Sequence, residues 1–379
     1  MTQQSFLCKI SLFMFVLMMS FNISALESIT SLDYELKKSY NKEFPITHNS
    51  TVELSNKYGK IDINTWNKPS VKVDVMVIVK ASDKGNAEDK MREIVININK
   101  VGENVVGVTD FDSSQKSWWD SLWDFGDNIK IEINYSVYMP ADQRSIIENK
   151  YGNINLPDLK AKTSVNLKYG NLQAQNIDGD LLMDLSYGKA TVTSVRNLSA
   201  TMAYSDLRCT SGGNNVIITS KYSKIYIDQV KALTTTSKYD DYNIGNANLF
   251  TMSGSYNDVK IGTLSVGTFS IKYTGLDINS VSSTLTADVS YGSLTVQNLK
   301  TSFKNMTINT SYAPIKVYGT VPCKVEVSGK YFDANLGSDF ISQQKHIDNN
   351  SKTFKGYKGS DRTGASISVI SKYGDVVIK

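Results

Sequence analysis

Tyrosine recurs through this chain at a nearly constant interval, and that interval constrains the fold more than any other feature of the sequence. Most of the intervals are 17 or 18 residues. The regular series consists of Tyr151, Tyr169, Tyr187, Tyr204, Tyr222, Tyr239, Tyr256, Tyr273, Tyr291, Tyr312 and Tyr331. Further copies of the local word occur at residues 56–59 and 371–374, the second containing Tyr373. Self-similarity at a fixed period predicts an architecture of stacked repeats.

Two alternating runs flank each tyrosine, which is numbered zero within its own repeat. Positions +3 and +5 are apolar or aromatic in every regular copy, as in Ile225 and Ile227, and position +4 is almost always polar. A second run precedes the tyrosine at −6, −4 and −2, as in Leu181, Met183 and Leu185. Alternation with period 2 is typical of a strand with one buried face. Each repeat is therefore predicted to hold two short strands.

Between the two strands the alternation slips by one residue, which predicts a corner. Positions +1 and +2 hold mainly Gly, Ser, Asp, Asn or Thr, residues that suit the left-handed backbone of a sharp turn. A second corner is expected near +7 to +10. Residue parity then points the tyrosine rings inward, as a structural ladder of Tyr151, Tyr169, Tyr187, Tyr204, Tyr222, Tyr239, Tyr256, Tyr273, Tyr291, Tyr312, Tyr331 and Tyr373.

A two-strand unit cannot bury its apolar edge alone, so the copies are expected to stack in parallel. We predict an all-β fold: a parallel two-sided β-solenoid of about 12 rungs, roughly 55–60 Å long at the usual strand spacing. A three-sided helix of hexapeptides would need apolar residues at +6, where Pro157, Gln175 and Asp228 occur. A calcium-binding nonapeptide roll would need repeated glycine pairs, and a β-propeller would need a longer period.

The rest of the chain suggests three regions. Residues 1–25 read as a cleaved export signal, since the apolar run 10–21 is too short to span a membrane. Residues 26–140 are expected to form a β-rich cap with strands near 70–80, 93–100, 104–110 and 129–139 and a short helix at 87–93. Residues 141–379 are the solenoid, interrupted at 337–365 by a polar, Lys-rich segment interpreted as a loop. No later segment is apolar enough to cross a bilayer.

Charge and cysteine content narrow the function. The chain has 41 basic and 37 acidic side chains, a balance that favours neither nucleic acid nor an anionic surface as the main partner. Cys209 and Cys323 fall on distant turns, beyond the reach of a disulfide, so both are predicted to be free thiols. No phosphate loop or metal-spaced cluster of His and Cys is present, and no cofactor is expected.

Three groups of residues are candidates for recognition or chemistry. Trp118, Trp119 and Trp123 could form an aromatic patch that stacks on sugars, or they could pack on the cap. Lys352, Lys355 and Lys358 could contact an acidic glycan or protein, or they could simply be solvated. The corner residues Asp206, Asp241 and Asp258 share position +2, and the last two are predicted to lie on adjacent turns. Paired carboxylates can bind a cation or act as acid and base, although Asp is also a common corner residue.

The recurrent KYG and SYG words, the segment 49–59 and the closing Ser371-Lys372-Tyr373-Gly374-Asp375 resemble a bacterial family. It is the "putative adhesin" β-solenoid family of unknown function, related to the head GIN-domain adhesins of Bacteroides-like bacteria. The resemblance covers nearly all of the chain after the signal. It implies an envelope or surface location and an adhesive role, and it supplies no catalytic residues. In bacteria of that group Asp120-Ser121-Leu122 would match an O-glycosylation signal.

The sequence as a whole predicts an exported, non-catalytic β-solenoid of the periplasm, outer-membrane surface or extracellular space. Its expected partner is a glycan or an envelope or surface protein. The alternative is a carbohydrate-active lyase or hydrolase, since parallel β-solenoids also serve as polysaccharide scaffolds.

Overall fold

The fold is a parallel β-solenoid of about ten turns in which the strands of successive turns lie side by side. The structure is a computed structural model that describes residue 32 and residues 34–112, 129–360 and 364–379. The regular turns run in chain order from Tyr151 to Tyr312. Tyr58 extends the stack at one end, and Tyr373 and Tyr331 extend it at the other.

In the regular turns the two predicted strands mostly merge into one long, bent strand. The strands stay short and separate in the first and last regular turns: β8 (Arg144–Lys150), β9 (Ile154–Leu156), β10 (Thr163–Lys168), β18 (Ser293–Val296), β19 (Asn305–Ser311) and β20 (Ile315–Val317). The long strands are β11 (Asn171–Ser186), β12 (Lys189–Ala203), β13 (Asp206–Lys221), β14 (Lys224–Lys238), β15 (Asp241–Ser255), β16 (Asp258–Lys272) and β17 (Gly275–Ser290). Four of the pairings between long strands shift register at the bend, so the predicted second corner is a bulge within a strand.

The core consists of the columns that the sequence pattern predicts, together with one more. Positions +3 and +5 are buried in every regular copy except that of Tyr331, where Ala334 is half-buried. The run before each tyrosine is buried as expected, as at Leu181 and Leu185. A further buried column occupies position +8 at the bulge, from Leu159 through Ile177 to Leu299. Continuous columns of this kind bury the apolar edge that a single turn would leave exposed.

The N-terminal region is a β-rich cap wrapped around the first turn. Its elements are β1 (Tyr34–Pro45), β2 (Thr51–Lys57), β3 (Ile61–Thr65), β4 (Ser70–Ala81), α1 (Lys84–Glu93), β5 (Ile94–Val101), β6 (Asn104–Phe111) and β7 (Ile129–Met139). Strands β2 and β3 pair in parallel with β8 and β9 on one side and with β6 and β7 on the other. The predicted strands and short helix of the cap are all present. Strands β4 and β1 pair antiparallel outside β7 and cover part of the open end.

At the other end the chain does not stack in sequence order. The remaining elements are β21 (Cys323–Lys330), β22 (Ala334–Asn335), β23 (Phe340–Asp348), β24 (Ser351–Lys358), β25 (Ser366–Lys372) and β26 (Val376–Ile378). Strand β25 lies between β19 and β21, and β26 lies between β20 and β22, so the last turn is inserted between the two that precede it.

The polar segment 337–365 is not the loop that the sequence suggested. Most of it forms an antiparallel hairpin of β23 and β24, and β24 pairs antiparallel with β21. An open solenoid end exposes unpaired backbone groups that invite edge-to-edge association. The hairpin satisfies the outer edge of β21, and its charged side chains suit an exposed final edge.

Candidate binding surface

The tyrosine itself, rather than the residues after it, adopts the left-handed backbone at each corner. All thirteen tyrosines at the corners have φ between 51° and 61°. The residue types at positions +1 and +2 predicted that conformation there, and this prediction was wrong. A bulky side chain at positive φ is rare and costs about 1–2 kcal/mol. The same strained choice at every corner requires a compensating interaction.

The stacking of the rings supplies that interaction. Neighbouring rings are nearly parallel, with centroids 4.7 to 5.4 Å apart from Tyr58 to Tyr331. An aromatic pair contributes about 0.5–1.5 kcal/mol beyond burial, which is similar to the cost of one left-handed residue. Tyr58 ends the stack against the edge of the Phe111 ring, at 5.9 Å. The ladder therefore extends into the cap, to Tyr58 in the outlying copy at residues 56–59.

The tyrosine rings lie on the surface, which corrects the prediction that they point inward. From Tyr151 to Tyr373 the side chains are 40–50% exposed. Parity counting assumes extended backbone at every residue, and a left-handed residue breaks the alternation. Each ring therefore leaves the interior, covers its faces with the neighbouring rings and presents its edge and hydroxyl to solvent.

A column of lysines runs beside the rings. Lysine precedes the corner tyrosine in eight turns: Lys57, Lys150, Lys168, Lys221, Lys238, Lys272, Lys330 and Lys372. All but Lys57 are exposed. The Nζ atom of Lys238 lies 5.1 Å from the centroid of Tyr239, and that of Lys272 lies 5.2 Å from Tyr273. We call these lysines and the thirteen corner tyrosines the tyrosine–lysine ridge.

The ridge is more positive than its other flank. Within the described residues, the lysines of the ridge from Lys150 to Lys372 form no ion pair with an acidic side chain. Position +2 on the other side of the rings carries both signs, with Asp206, Asp241 and Asp258 near Lys189 and Lys224. Parallel pairing sets Lys224 beside Asp206 and Asp241. Charges of opposite sign therefore neighbour each other on this flank, whereas position −1 carries positive charge alone.

In most turns position +1 closes the corner in one of two ways, and only the turns of Tyr312 and Tyr331 carry a buried apolar residue there, Ala313 and Phe332. In several turns it is glycine, and a Cβ added at Gly170 would lie 2.0 Å from the carbonyl oxygen of Gly152. Five consecutive middle turns instead carry a buried polar side chain, namely Ser205, Ser223, Asp240, Asn257 and Thr274. In each of these five the side-chain oxygen accepts a hydrogen bond from the backbone N–H of the preceding turn's +1 residue.

Asp240 is the one acid in this polar column. Its carboxylate accepts hydrogen bonds from the Ser223 N–H at 2.7 Å, the Ser220 hydroxyl at 2.7 Å and the Ser237 hydroxyl at 2.9 Å. The Lys238 N–H is a further donor at 3.2 Å. Burial raises the pKa of the Asp240 carboxyl, and these four donors oppose the rise. The group is enclosed by its own turn and the two turns beside it, which makes it a structural acid.

The candidate residues of the hairpin are engaged with acids of this chain. Lys352 Nζ lies 2.5 Å from an oxygen of Asp333, and Lys355 Nζ lies 2.8 Å from Glu326. Lys358 is buried and lies 3.2 Å from Asp339. Lys358 therefore offers no surface charge to a partner, and the other two are partly neutralised. Trp118, Trp119 and Trp123, like Asp120-Ser121-Leu122, lie outside the described residues.

The features that would support catalysis are sparse. Asp241 and Asp258 are register partners on adjacent strands, as predicted, and both are exposed. Across the described residues no group of three or more His, Cys, Asp or Glu side chains could hold a metal ion. Cys209 and Cys323 are buried free thiols, as predicted, and burial raises their pKa values to about 12 and about 11. Such thiols are inert, because the thiolate is the reactive form.

Comparison with known proteins gives similar structures and no family model. No family model and no curated protein matches the sequence. A "putative cell adhesion protein" from Clostridium sporogenes is 12% identical, covering 91% of this chain and 99% of its own, with a TM-score of 0.19. A "putative adhesin" from Bacteroides fragilis is 12% identical, covering 74% and 97%, with a TM-score of 0.26. A "putative adhesin" from Parabacteroides merdae is 12% identical, covering 74% of this chain and 93% of its own, with a TM-score of 0.28.

The names of these structures agree with the resemblance drawn from the tyrosine words. At such identities and TM-scores they assign no activity or ligand to this chain. No helix in the described part of the chain has the length and apolar character needed to cross a membrane.

Proposed function

We propose that this chain is an exported, non-enzymatic, adhesin-like protein of the bacterial cell surface that binds an extended acidic polysaccharide along its tyrosine–lysine ridge. The observation that carries the proposal is the exposed ring stack, which is unbroken from Tyr151 to Tyr373 and has a lysine beside it in seven of those turns. An internal structural ladder would hide its rings, whereas these rings present their edges to solvent from Tyr151 to Tyr373.

The geometry of the ridge favours a long, repetitive ligand. Its hydroxyls recur at the spacing of the turns, 4.7–5.4 Å between ring centroids, which is comparable with the length of one sugar unit. Ammonium groups recur beside them in the eight turns that carry lysine. The stacked rings are already ordered, so binding would cost little further side-chain entropy. Many weak contacts repeated along one polymer add up, since each later contact is intramolecular.

The chemistry of the ridge favours an acidic polysaccharide. From Lys150 to Lys372 the lysines of the ridge form no ion pair with an acid in the described chain, so they supply positive charge. The phenol hydroxyls can donate to and accept from sugar hydroxyls. The side edges of stacked rings offer no open aromatic face, so recognition would rest on hydrogen bonds and charge. Binding of this kind weakens as salt rises.

The test compares two fourfold variants of the chain without residues 1–25. The ridge variant carries Lys150→Gln, Lys168→Gln, Lys221→Gln and Lys238→Gln. The control carries Lys130→Gln, Lys304→Gln, Lys316→Gln and Lys324→Gln, which removes the same charge from exposed lysines elsewhere. Immobilised polygalacturonate, hyaluronate and chondroitin sulfate serve as probes in biolayer interferometry.

We expect at least one probe to bind the parent chain and the control alike. The ridge variant should bind that probe roughly tenfold more weakly, equivalent to about 1.4 kcal/mol. Equal loss in both variants would reduce the interaction to net charge. Absence of binding to all three probes, or full binding by the ridge variant, would refute the proposal.

A carbohydrate-active enzyme is the second candidate, favoured by the adjacent carboxylates of Asp241 and Asp258. Acid and base on neighbouring strands can hydrolyse a glycosidic bond when their separation suits the reaction. Incubation with a broad polysaccharide panel and detection of reducing ends tests this candidate. Cleavage that is abolished by Asp241→Asn and by Asp258→Asn would support it, and cleavage that survives both substitutions would remove the assignment.

A further inference from the structure

A groove of about 420 Å³ lies at the N-terminal end of the solenoid, at the other end of strand β3 from Tyr58. Its walls are residues 66–69, between β3 and β4, and residues 140–142, between β7 and β8. Lys160, which follows β9, closes a third side. These three segments follow strands of adjacent turns, so the parallel stack brings them together. The groove is separate from the tyrosine–lysine ridge.

Backbone hydrogen bonds fix the walls of this groove relative to one another. The Trp66 N–H donates to the carbonyl oxygen of Met139 at 3.1 Å, and the Lys160 N–H donates to that of Ala141 at 2.8 Å. The first bond joins Trp66 to the end of β7, next to the 140–142 segment, and the second joins Lys160 to that segment. The groove is therefore preformed, which lowers the cost of ordering it around a ligand.

Trp66 forms an aromatic platform that is held in place. Its indole N–H donates to the carbonyl oxygen of Ser70 at 2.8 Å, and its ring lies 5.5 Å from that of Tyr138. The Nζ atom of Lys68 lies 4.8 Å from the indole centroid. Lysine sits on a flexible stem, so this cation can move aside or stay to donate hydrogen bonds.

The rim combines apolar and polar groups in the manner of a small-molecule site. Pro69 and Pro140 contribute apolar surface beside Trp66. Within the described part of the chain, the side chains of Asn67, Asp142 and Lys160 form no hydrogen bond or ion pair. A carboxylate, an amide and two ammonium groups around an indole face match a pyranose ring, whose C–H face is apolar and whose edge carries hydroxyls.

We propose that the Trp66 groove binds a single acidic pyranose unit, such as a uronic acid. The C–H face of the sugar packs on the indole, Asp142 accepts hydrogen bonds from its hydroxyls, and Lys68 and Lys160 bind its carboxylate. Two ammonium groups against one carboxylate favour an acidic sugar over a neutral one. The ridge and the groove have separate residues, so either can fail without the other.

The test uses saturation-transfer NMR on the full chain with two probes, methyl β-D-glucuronide and methyl β-D-glucoside. Lys160→Ala removes a rim charge, and Lys231→Ala is its matched control. Both lysines are exposed and stand nine residues after a corner tyrosine, four turns apart. Trp66→Ala removes the platform, and circular dichroism reports whether that variant is folded. Asp142→Ala gives a second rim variant on an exposed side chain.

We expect more saturation transfer to the glucuronide than to the glucoside. Lys231→Ala should preserve this transfer, and Trp66→Ala should abolish it. Lys160→Ala and Asp142→Ala should each raise the Kd roughly fivefold or more. Absence of transfer to both probes would overturn the proposal. Transfer that survives all the groove variants would overturn it too, and equal transfer to both sugars would overturn the preference for an acidic one.

Discussion

The glycine corners and the polar corners of this solenoid meet the same backbone demand in different ways. Both place a tyrosine at positive φ and stack its ring on the neighbouring turns. At the glycine corners, such as Gly170 and Gly188, the absence of a side chain allows the preceding turn to approach closely. At the polar corners, from Ser205 to Thr274, a buried side chain occupies that space and bonds the preceding turn.

The difference shows that the tyrosine, and not the residue after it, defines the corner. In both classes the +1 carbonyl accepts from the +2 N–H of the next turn, as at Gly170 with Lys189 and at Ser205 with Lys224. The residue at position +1 differs between turns because the corner can form either without a side chain there or with a side-chain oxygen that accepts a hydrogen bond from the preceding turn. Near the C-terminal end the buried Ala313 and Phe332 occupy this position instead.

The largest expected effect is a methyl group at a glycine corner. In Gly170→Ala the new Cβ would lie 2.0 Å from a backbone oxygen that cannot move aside without breaking the stack. We expect a loss of about 3 kcal/mol or more in the free energy of local opening. Hydrogen exchange of the amides in β10 and β11 measures it. A loss below about 1 kcal/mol would show that the two classes of corner are interchangeable.

The second effect is the removal of the acid from the polar column. Asp240→Ala leaves the backbone N–H groups of Ser223 and Lys238 without this acceptor. The Ser220 and Ser237 hydroxyls lose one partner each and keep Tyr242 and Asn257. We expect a loss of about 3 kcal/mol, because each buried donor left unpaired is costly. Ser205→Ala, which removes one weak acceptor at the border of the column, is the matched control and should cost about 1 kcal/mol. Hydrogen exchange in β13 to β15 reports both, and equal losses would refute the special role of Asp240.

Much of this architecture could be predicted from the sequence, and the failures have one main cause. The columns at Ile225 and Ile227 follow from alternation alone, because extended backbone points every second residue to the core. The same count fails at Tyr222, since a left-handed residue reverses the parity and turns the ring outward. Counting alternate residues therefore predicted an internal position for each tyrosine.

Other features are invisible to a pattern that describes one turn at a time. The turn of Tyr373 carries the ordinary signature, yet it inserts between the turns of Tyr312 and Tyr331, and stacking order is not encoded in a single copy. The Trp66 groove brings residues 66–69 together with residues 140–142 and with Lys160, which lie far along the chain from them. The pairing of Asp241 with Asp258 could be predicted, because it depends only on the period.

The third effect concerns pH and separates the polar class from the glycine class. The folded-state pKa of Asp240 lies above its ordinary value of 3.8. Its contribution to stability is therefore fully present below that ordinary value and is lost as pH rises through the raised, folded-state pKa. Asp240→Asn removes this titration, so its stability relative to the parent should increase from acidic to neutral pH. Denaturation midpoints at a series of pH values check this, and a parallel pH dependence of the two proteins would contradict it.

The smallest effect is expected for the ring hydroxyl. Tyr222→Phe keeps the aromatic stack and removes only a solvent-exposed hydroxyl, so stability should change by less than about 0.5 kcal/mol. Tyr242→Phe is the internal comparison, because its buried hydroxyl lies 2.8 Å from the Ser220 hydroxyl and its loss should cost about 1 kcal/mol. Thermal unfolding of the two variants measures the difference, and an equal cost at the two positions would contradict the exposed placement of Tyr222.

Hydroxyl-radical footprinting, read by mass spectrometry with and without a bound acidic polysaccharide, tests the central claim most directly. In the free chain the ridge tyrosines, such as Tyr169 and Tyr239, should be modified readily, while the buried Tyr135 and Tyr242 should be protected. The polysaccharide should then protect the ridge tyrosines along the stack. Unreactive ridge tyrosines in the free chain, or a footprint unchanged by a polysaccharide that binds, would contradict the account.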